Sequence, residues 1–224
     1  MKIKHKRADS EGKRIARAID HTLLKPDTLP EQVDDACRLA IELEFAAVCV
    51  HPVMLKRVAE ALKGTAVTAC TVVGFPFGTQ KTQVKAFEAE KASLDGAEEL
   101  DMVMPVWALK IGQTNYVLSD IRSVVQAVPD RRIKVIIETC LLSDDEKKLA
   151  ARLVIDAGAH FVKTSTGFNG GGATTADIRL LRKCVGPEYG VKASGGVRTA
   201  EDALKMLNAG ANRIGTSSAA AFFT

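Results

Sequence analysis

A chain of 224 residues can bury roughly 70–75% of its unfolded surface as one domain, so it needs neither disulfides nor a metal to hold it together. Hydrophobic residues at 46% and charged residues at 26% are ordinary for a globular domain, and no apolar run approaches the ~20 residues of a membrane-spanning helix. The net charge of +4 is concentrated in residues 1–17, where seven Lys or Arg face Asp9 and Glu11. The remaining 24 basic and 25 acidic groups nearly cancel and leave no nucleic-acid footprint.

Residues 1–9 are expected to form a mobile basic arm on a domain that spans 1–224. The arm lacks the apolar core and cleavage site of a secretory signal, which points to the cytoplasm. The five cysteines (Cys37, Cys49, Cys70, Cys140, Cys184) are odd in number and none shows CxxC spacing. They read as reduced, packed thiols, with no zinc site.

Along the chain, short β-branched runs alternate with amphipathic stretches. Eight strands are expected at 18–22, 46–50, 67–73, 98–103, 133–139, 160–164, 190–194 and 212–216. Eight β/α units in about 200 residues imply a closed (β/α)8 TIM barrel. Pro30 opens a helix to about Glu44, and Thr79 opens one to Leu94. Ser143 with Glu146, and Thr199 with Asp202, read as capping boxes. A short amino-terminal helix precedes the barrel. Only eight residues follow Thr216, too few for a full last helix, so segment 10–17 is expected to plug one end and a subunit contact to shield the final strand. The chain should therefore form a homodimer or higher oligomer.

LDGAEELD, IDAGAHFVK and LNAGANRIG repeat a Gly-Ala pair, with Gly96, Gly158 and Gly210 as left-handed helix caps. Five residues beyond these glycines stand Asp101, Lys163 and Gly215, on one face of strands four, six and eight. That face should be the mouth, where barrel active sites lie.

Lys163 and Lys192 each interrupt an apolar strand, HFVKTST and YGVKASGG, without an acidic neighbour in sequence. One such lysine is as readily explained by snorkelling or a buried ion pair as by function; two on adjacent strands are harder to dismiss. With ammonium groups roughly 5–6 Å apart at an effective dielectric of about 20, repulsion costs about 3 kcal/mol and favours a neutral amine on one of them. A lysine at its ordinary pKa is neutral only about 0.04% of the time at pH 7, so this makes an amine nucleophile able to form a Schiff base with an aldehyde or ketone. Which lysine reacts stays open from the residues alone. Asp101 could relay protons through a water or pair with Lys192 or another inward lysine, and Glu138 is expected to hold an inward cation.

STGF, SGGVR and GTSS follow strands six, seven and eight. Loops seven and eight commonly cradle phosphate in this fold, which singles out Gly195, Gly196, Gly215, Ser217 and Ser218. His21 and His51 could line the mouth but read first as hydrogen-bonded structural residues. Cys49 reads as a packed thiol that a reactive aldehyde could modify.

DHTLLKPDT, AAVCVHP, TVVGFPFG, GAEELDMVM, KVIIETCLL, FVKTSTGF, VKASGGVRTAEDA and GANRIGTSS, in this order from residue 19 to 218, resemble the deoxyribose-phosphate aldolase family. The resemblance implies a Schiff base on Lys163, with Lys192 as the second lysine that keeps its amine reactive and Asp101 in a proton relay. It also implies reversible cleavage of 2-deoxy-D-ribose 5-phosphate to acetaldehyde and D-glyceraldehyde 3-phosphate, without metal or organic cofactor. The phosphate would rest against Gly167, Gly195, Gly196, Gly215, Ser217 and Ser218. His51 and Trp107 depart from the family pattern and should alter the shape of the mouth, and Phe168 replaces a lysine that some longer relatives use near the phosphate, so phosphate binding should rest more on backbone amides. The competing readings are a phosphosugar isomerase or epimerase using Asp101 and Glu138, and a non-catalytic phosphosugar-binding barrel.

Overall fold

The computed structural model describes residues 10–223; the expected basic arm, 1–9, lies outside the described residues. Eight parallel strands close into a barrel in sequence order: β1 (Ile19–Leu23), β2 (Ala47–Val50), β3 (Thr68–Val73), β4 (Glu99–Val103), β5 (Arg132–Ile136), β6 (Phe161–Lys163), β7 (Gly190–Ser194) and β8 (Arg213–Thr216). Outside them run α1 (Ser10–Ala16), α2 (Pro30–Glu42), α3 (Pro52–Leu62), α4 (Thr82–Leu94), α5 (Val106–Lys110), α6 (Thr114–Ala127), α7 (Asp144–Asp156), α8 (Thr175–Val185) and α9 (Ala200–Ala209). This is the (β/α)8 barrel expected from the alternation of runs. No helix among the described residues is long and apolar enough to cross a membrane.

Local chemistry sets the boundaries. Ser143 and Thr199 cap α7 and α9 through their side chains, each in a reciprocal box with the residue three positions on, Glu146 and Asp202. Gly96, Gly158 and Gly210 close their helices at φ of 99°, 81° and 115°, backbone that only glycine adopts cheaply. Two expected boundaries move by three residues. The α4 helix starts at Thr82 rather than Thr79, because the chain is still turning at Gly78 (φ 68°) and Lys81 is the extended residue that precedes the first turn. The β5 strand stops at Ile136 rather than 139, because Glu138 turns into the left-handed region at φ 57°.

Alternation along the strands sorts side chains into two layers. Outward residues such as Val48, Leu100, Ile133, Val135, Val162, Val191 and Ile214 pack under the helices as the main apolar core. The interior is split by sides. Leu24, Ala47, Cys49, Cys70 and Val72 form a small apolar wall from the β1 to β3 region, and the other side of the interior holds the buried charges. Between α4 and α6, Lys85 is fully buried and bonds Asp120 at 2.7 Å and the Val103 carbonyl at 3.0 Å.

Two features stand where a longer last helix would lie. The α1 helix packs on α9, where Arg14 bonds Asn208 at 3.0 Å, and Arg17 reaches Glu44 at 3.2 Å. After β8 the chain makes a single tight turn, Ala219–Phe222, and Phe223 packs on Phe45, whose ring also meets His21. The aromatic end of the chain thus supplies part of the cover that was expected from a neighbouring subunit.

Candidate active site

The strand register places Lys163 of β6 beside Lys192 of β7, and Asp101 of β4 beside Lys134 of β5. All four side chains point inward and meet. Oδ2 of Asp101 accepts from Lys163 Nζ at 2.7 Å and from Lys192 Nζ at 2.6 Å, so the two amines are no farther apart than the sum of those distances. This is the lysine pair expected from the sequence, with one carboxylate oxygen between its members.

The cluster extends below Asp101. Its Oδ1 accepts from Lys134 at 2.8 Å, and Lys134 also reaches Glu99 at 2.7 Å. Asp20 of β1 binds Lys192 and Arg213, and Arg213 grips Glu99 at 2.9 and 3.1 Å. Arg132 touches Glu99 from the half-exposed outer side. Inside the barrel, three carboxylates (Asp20, Glu99, Asp101) therefore face four cations (Lys134, Lys163, Lys192, Arg213), all within 9% exposure.

Charge in such a setting survives only by pairing. Burial works against ionisation of Asp101, yet Lys134, Lys163 and Lys192 outweigh it and hold the carboxyl well below the usual range. Asp20 is likewise held down against burial by Arg213, Lys192 and Lys134. Lys192 is held above the ordinary lysine value by Asp101 and Asp20 despite its burial, and Lys134 well above it by Asp101 and its neighbours. Lys192 and Lys134 are thus fixed cations. Lys163 has a single carboxylate partner among the described residues, Asp101, and alone of the cluster lines the large cavity above it.

That cavity has a volume of about 690 Å3 and opens at the carboxyl ends of the strands. Gly167, Gly195, Gly196, Gly215, Ser217 and Ser218 all line it, as do two cations that sequence reasoning missed, Lys25 and Arg198. Among the described residues no carboxylate lines it. The loops after β6 and β7 touch backbone to backbone: a Cβ on Gly172 would stand 2.4 Å from the Gly195 carbonyl oxygen, and one on Gly195 2.9 Å from the Gly172 Cα. Any side chain at either position would push these two walls apart.

Contrary to expectation, Glu138 holds no inward cation among the described residues; the inward lysine of β5, Lys134, is held by Asp101 and Glu99. Its carboxylate accepts from the Thr166 hydroxyl at 2.5 Å, the Thr166 amide at 3.2 Å and Asn169 Nδ2 at 2.8 Å, which ties down the loop after β6. Glu138 lines a separate hollow with Phe77 and Leu141, so Asp101 and Glu138 do not form the acid–base pair that an isomerase would need. His51 is structural, bonding the Leu24 carbonyl at 2.8 Å, and it begins an edge-to-face row through Phe75 to Phe168, which does line the cavity. Trp107 instead stacks on Tyr116 and leaves the cavity unshaped. His21 points away from the interior against Phe45, and burial lowers its pKa although a Thr216 backbone hydrogen bond opposes this.

Cys49 is buried, as expected, and pairs in register with Cys70. The two sulfurs and an Asp101 oxygen lie within 4.8 Å of one another, the one such set of potential metal donors among the described residues. A further cation there would have to compete with three lysine amines for the same carboxylate, so the charges disfavour a metal.

A (β/α)8 barrel that presents one amine at the floor of a basic, glycine-lined cavity, above a set of paired buried charges, is the framework of an enzyme. The chain belongs to the DeoC/LacD family of aldolases, whose family model matches residues 14–222. It is 53% identical over 208 residues to a deoxyribose-phosphate aldolase of Streptococcus suis, covering 93% of this chain and 94% of that one. It is 55% identical over 206 residues to deoxyribose-phosphate aldolase 1 of Bacillus licheniformis, covering 92% of each. The tetrameric deoxyribose phosphate aldolase of Aeropyrum pernix superposes with a TM-score of 0.88 at 34% identity, covering 95% of this chain and 90% of that one. The chain is therefore an aldolase, a carbon–carbon lyase.

Proposed function

We propose that this chain reversibly cleaves 2-deoxy-D-ribose 5-phosphate to acetaldehyde and D-glyceraldehyde 3-phosphate through a Schiff base on Lys163. The observation that carries the reading is the single Asp101 oxygen shared by Lys163 and Lys192, with only Lys163 open to the cavity. The neutral Nζ of Lys163 adds to the aldehyde carbon, and the carbinolamine loses water to give an iminium. The bond between the second and third carbons then breaks. Its electrons move to the iminium nitrogen, forming an enamine, while the third carbon's hydroxyl gives up its proton and becomes the new aldehyde. Protonation of the enamine and addition of water release acetaldehyde and restore the amine.

Lys192 stays charged throughout and discourages a second charge on Lys163. Asp101 is the proton acceptor nearest the reacting nitrogen. Held so far down in pKa, it gives back quickly any proton it takes, which suits a relay through water in the cavity. Gly167, Gly195, Gly196, Gly215, Ser217 and Ser218 would hold the phosphate by backbone amides and hydroxyls. Lys25 and Arg198 supply charge where Phe168 supplies none. The reading needs no metal or organic cofactor. It places the enzyme in the cytoplasm as a homo-oligomer; support for the latter is the tetrameric relative.

A coupled assay tests the substrate assignment. Release of D-glyceraldehyde 3-phosphate from 2-deoxy-D-ribose 5-phosphate is expected, with kcat/KM at least ~10²-fold lower for 2-deoxy-D-ribose, which cannot use the cradle. Equal rates on the two sugars would contradict the phosphate assignment.

A further inference from the structure

Ser194 ends β7, two residues beyond Lys192, so both side chains turn into the barrel. The Ser194 hydroxyl is buried, has no hydrogen-bond partner among the described residues, and belongs to a residue that lines the large cavity. The other buried side-chain atoms without a partner, on His21, Gln80, Thr139 and Ser165, belong to residues that do not line it. The neighbour of Ser194 across the sheet is Gly215, where a Cβ would stand 2.3 Å from Ser194 Oγ and 3.2 Å from Lys192 Cε. Glycine at 215 thus leaves room for this hydroxyl, just above the Lys192 stem. A buried hydroxyl without a partner is costly, and a ligand with a matching polar group would remove that cost.

We propose that Ser194 is a specificity-determining residue whose hydroxyl bonds the substrate hydroxyl on the carbon next to the phosphate-bearing carbon. This rests on the Schiff-base reading above. A phosphosugar joined at one end to Lys163 and held at the other by Gly195 and Gly196 must pass Ser194, which immediately precedes that loop and stands one inward position above the lysine pair. Two hydroxyl-bearing carbons lie in the span. The first, at the bond that breaks, must exchange its proton near Lys163 and Asp101. The second, one carbon closer to the phosphate, comes level with Ser194. The mouth would then distinguish hydroxylated aldehydes from their deoxy analogues by the hydrogen bond at Ser194.

The experiment runs aldol addition with acetaldehyde as donor and two acceptors: D-glyceraldehyde 3-phosphate, and 3-phosphooxypropanal, which differs only in lacking the hydroxyl. In Ser194→Ala, kcat/KM is expected to fall about tenfold with the first acceptor and less than about twofold with the second. The borohydride-trapped acetaldehyde adduct on Lys163 should be unchanged, which shows the fold and the amine to be intact. An equal fall with both acceptors, or no fall with either, would overturn the role of Ser194 alone. A wild-type enzyme that converts neither acceptor and traps no adduct would overturn the Schiff-base reading, and this proposal with it.

Discussion

Replacing Asp101 with asparagine should destabilise the barrel by about 3–5 kcal/mol in chemical denaturation and lower turnover at least ~10²-fold. The amide keeps the volume but removes the carboxylate that Lys134, Lys163 and Lys192 share, and leaves the charge of three buried amines facing only Asp20 and Glu99. Adding Lys163→Met to this variant removes the amine left without its carboxylate partner and should return part of the stability, but none of the activity. The pH dependence has a definite sign. Burial opposes ionisation of Asp101, but its three lysines hold the carboxyl well below the ordinary 3.8. The stability it contributes is therefore fully present above about pH 4 and is lost as the pH falls toward the folded-state value. Asp101→Asn should show a flatter acid limb. A destabilisation below ~1 kcal/mol, the scale of an exposed pair, would contradict the shared-carboxylate account.

Lys192→Leu should cut turnover at neutral pH by at least ~10²-fold while leaving substrate KM within a few-fold. In the wild type Lys163 and Lys192 share one oxygen of Asp101, so the charge on Lys192 disfavours a second one beside it. Without Lys192 that repulsion is gone and Lys163 has Asp101 Oδ2 to itself. A repulsion of about 3 kcal/mol between amines at this spacing corresponds to about two powers of ten in the neutral fraction. Raising the pH should recover part of the loss, because alkaline solution then removes the proton that Lys192 had disfavoured. Near-normal turnover at pH 7 would show that Lys192 serves packing alone.

The barrel was legible because its signals are local. Alternating runs, capping boxes and left-handed glycines each lie within one turn of chain, and Ser143, Thr199 and Gly210 act as their sequence context implies. Lys163, Lys192 and Asp101 stood out as charges in apolar strands. Asp20, Glu99 and Arg213 obey the same inward alternation, but each has a polar or charged neighbour (His21, Glu98, Asn212) that reads as an ordinary strand end; Lys134, between Ile133 and Val135, carries the same signal as Lys163 and was missed. Only closure of the barrel brings residues as distant in sequence as Asp20 and Lys192 into contact. The role of Glu138 was hidden by its left-handed backbone, which swings the carboxylate out of the strand's alternation toward Thr166 and Asn169. Lys25 and Arg198 lie on loops, where side-chain direction does not follow from periodicity.

The central claim is that Lys163, among all the lysines of the chain, carries the neutral amine. Incubation with acetaldehyde and borohydride, followed by peptide mass spectrometry, tests it most directly. The account predicts one ethyl group on Lys163, lost in Lys163→Ala and strongly reduced in Lys192→Leu. An adduct on Lys192 in place of Lys163, or none on either lysine, would contradict it.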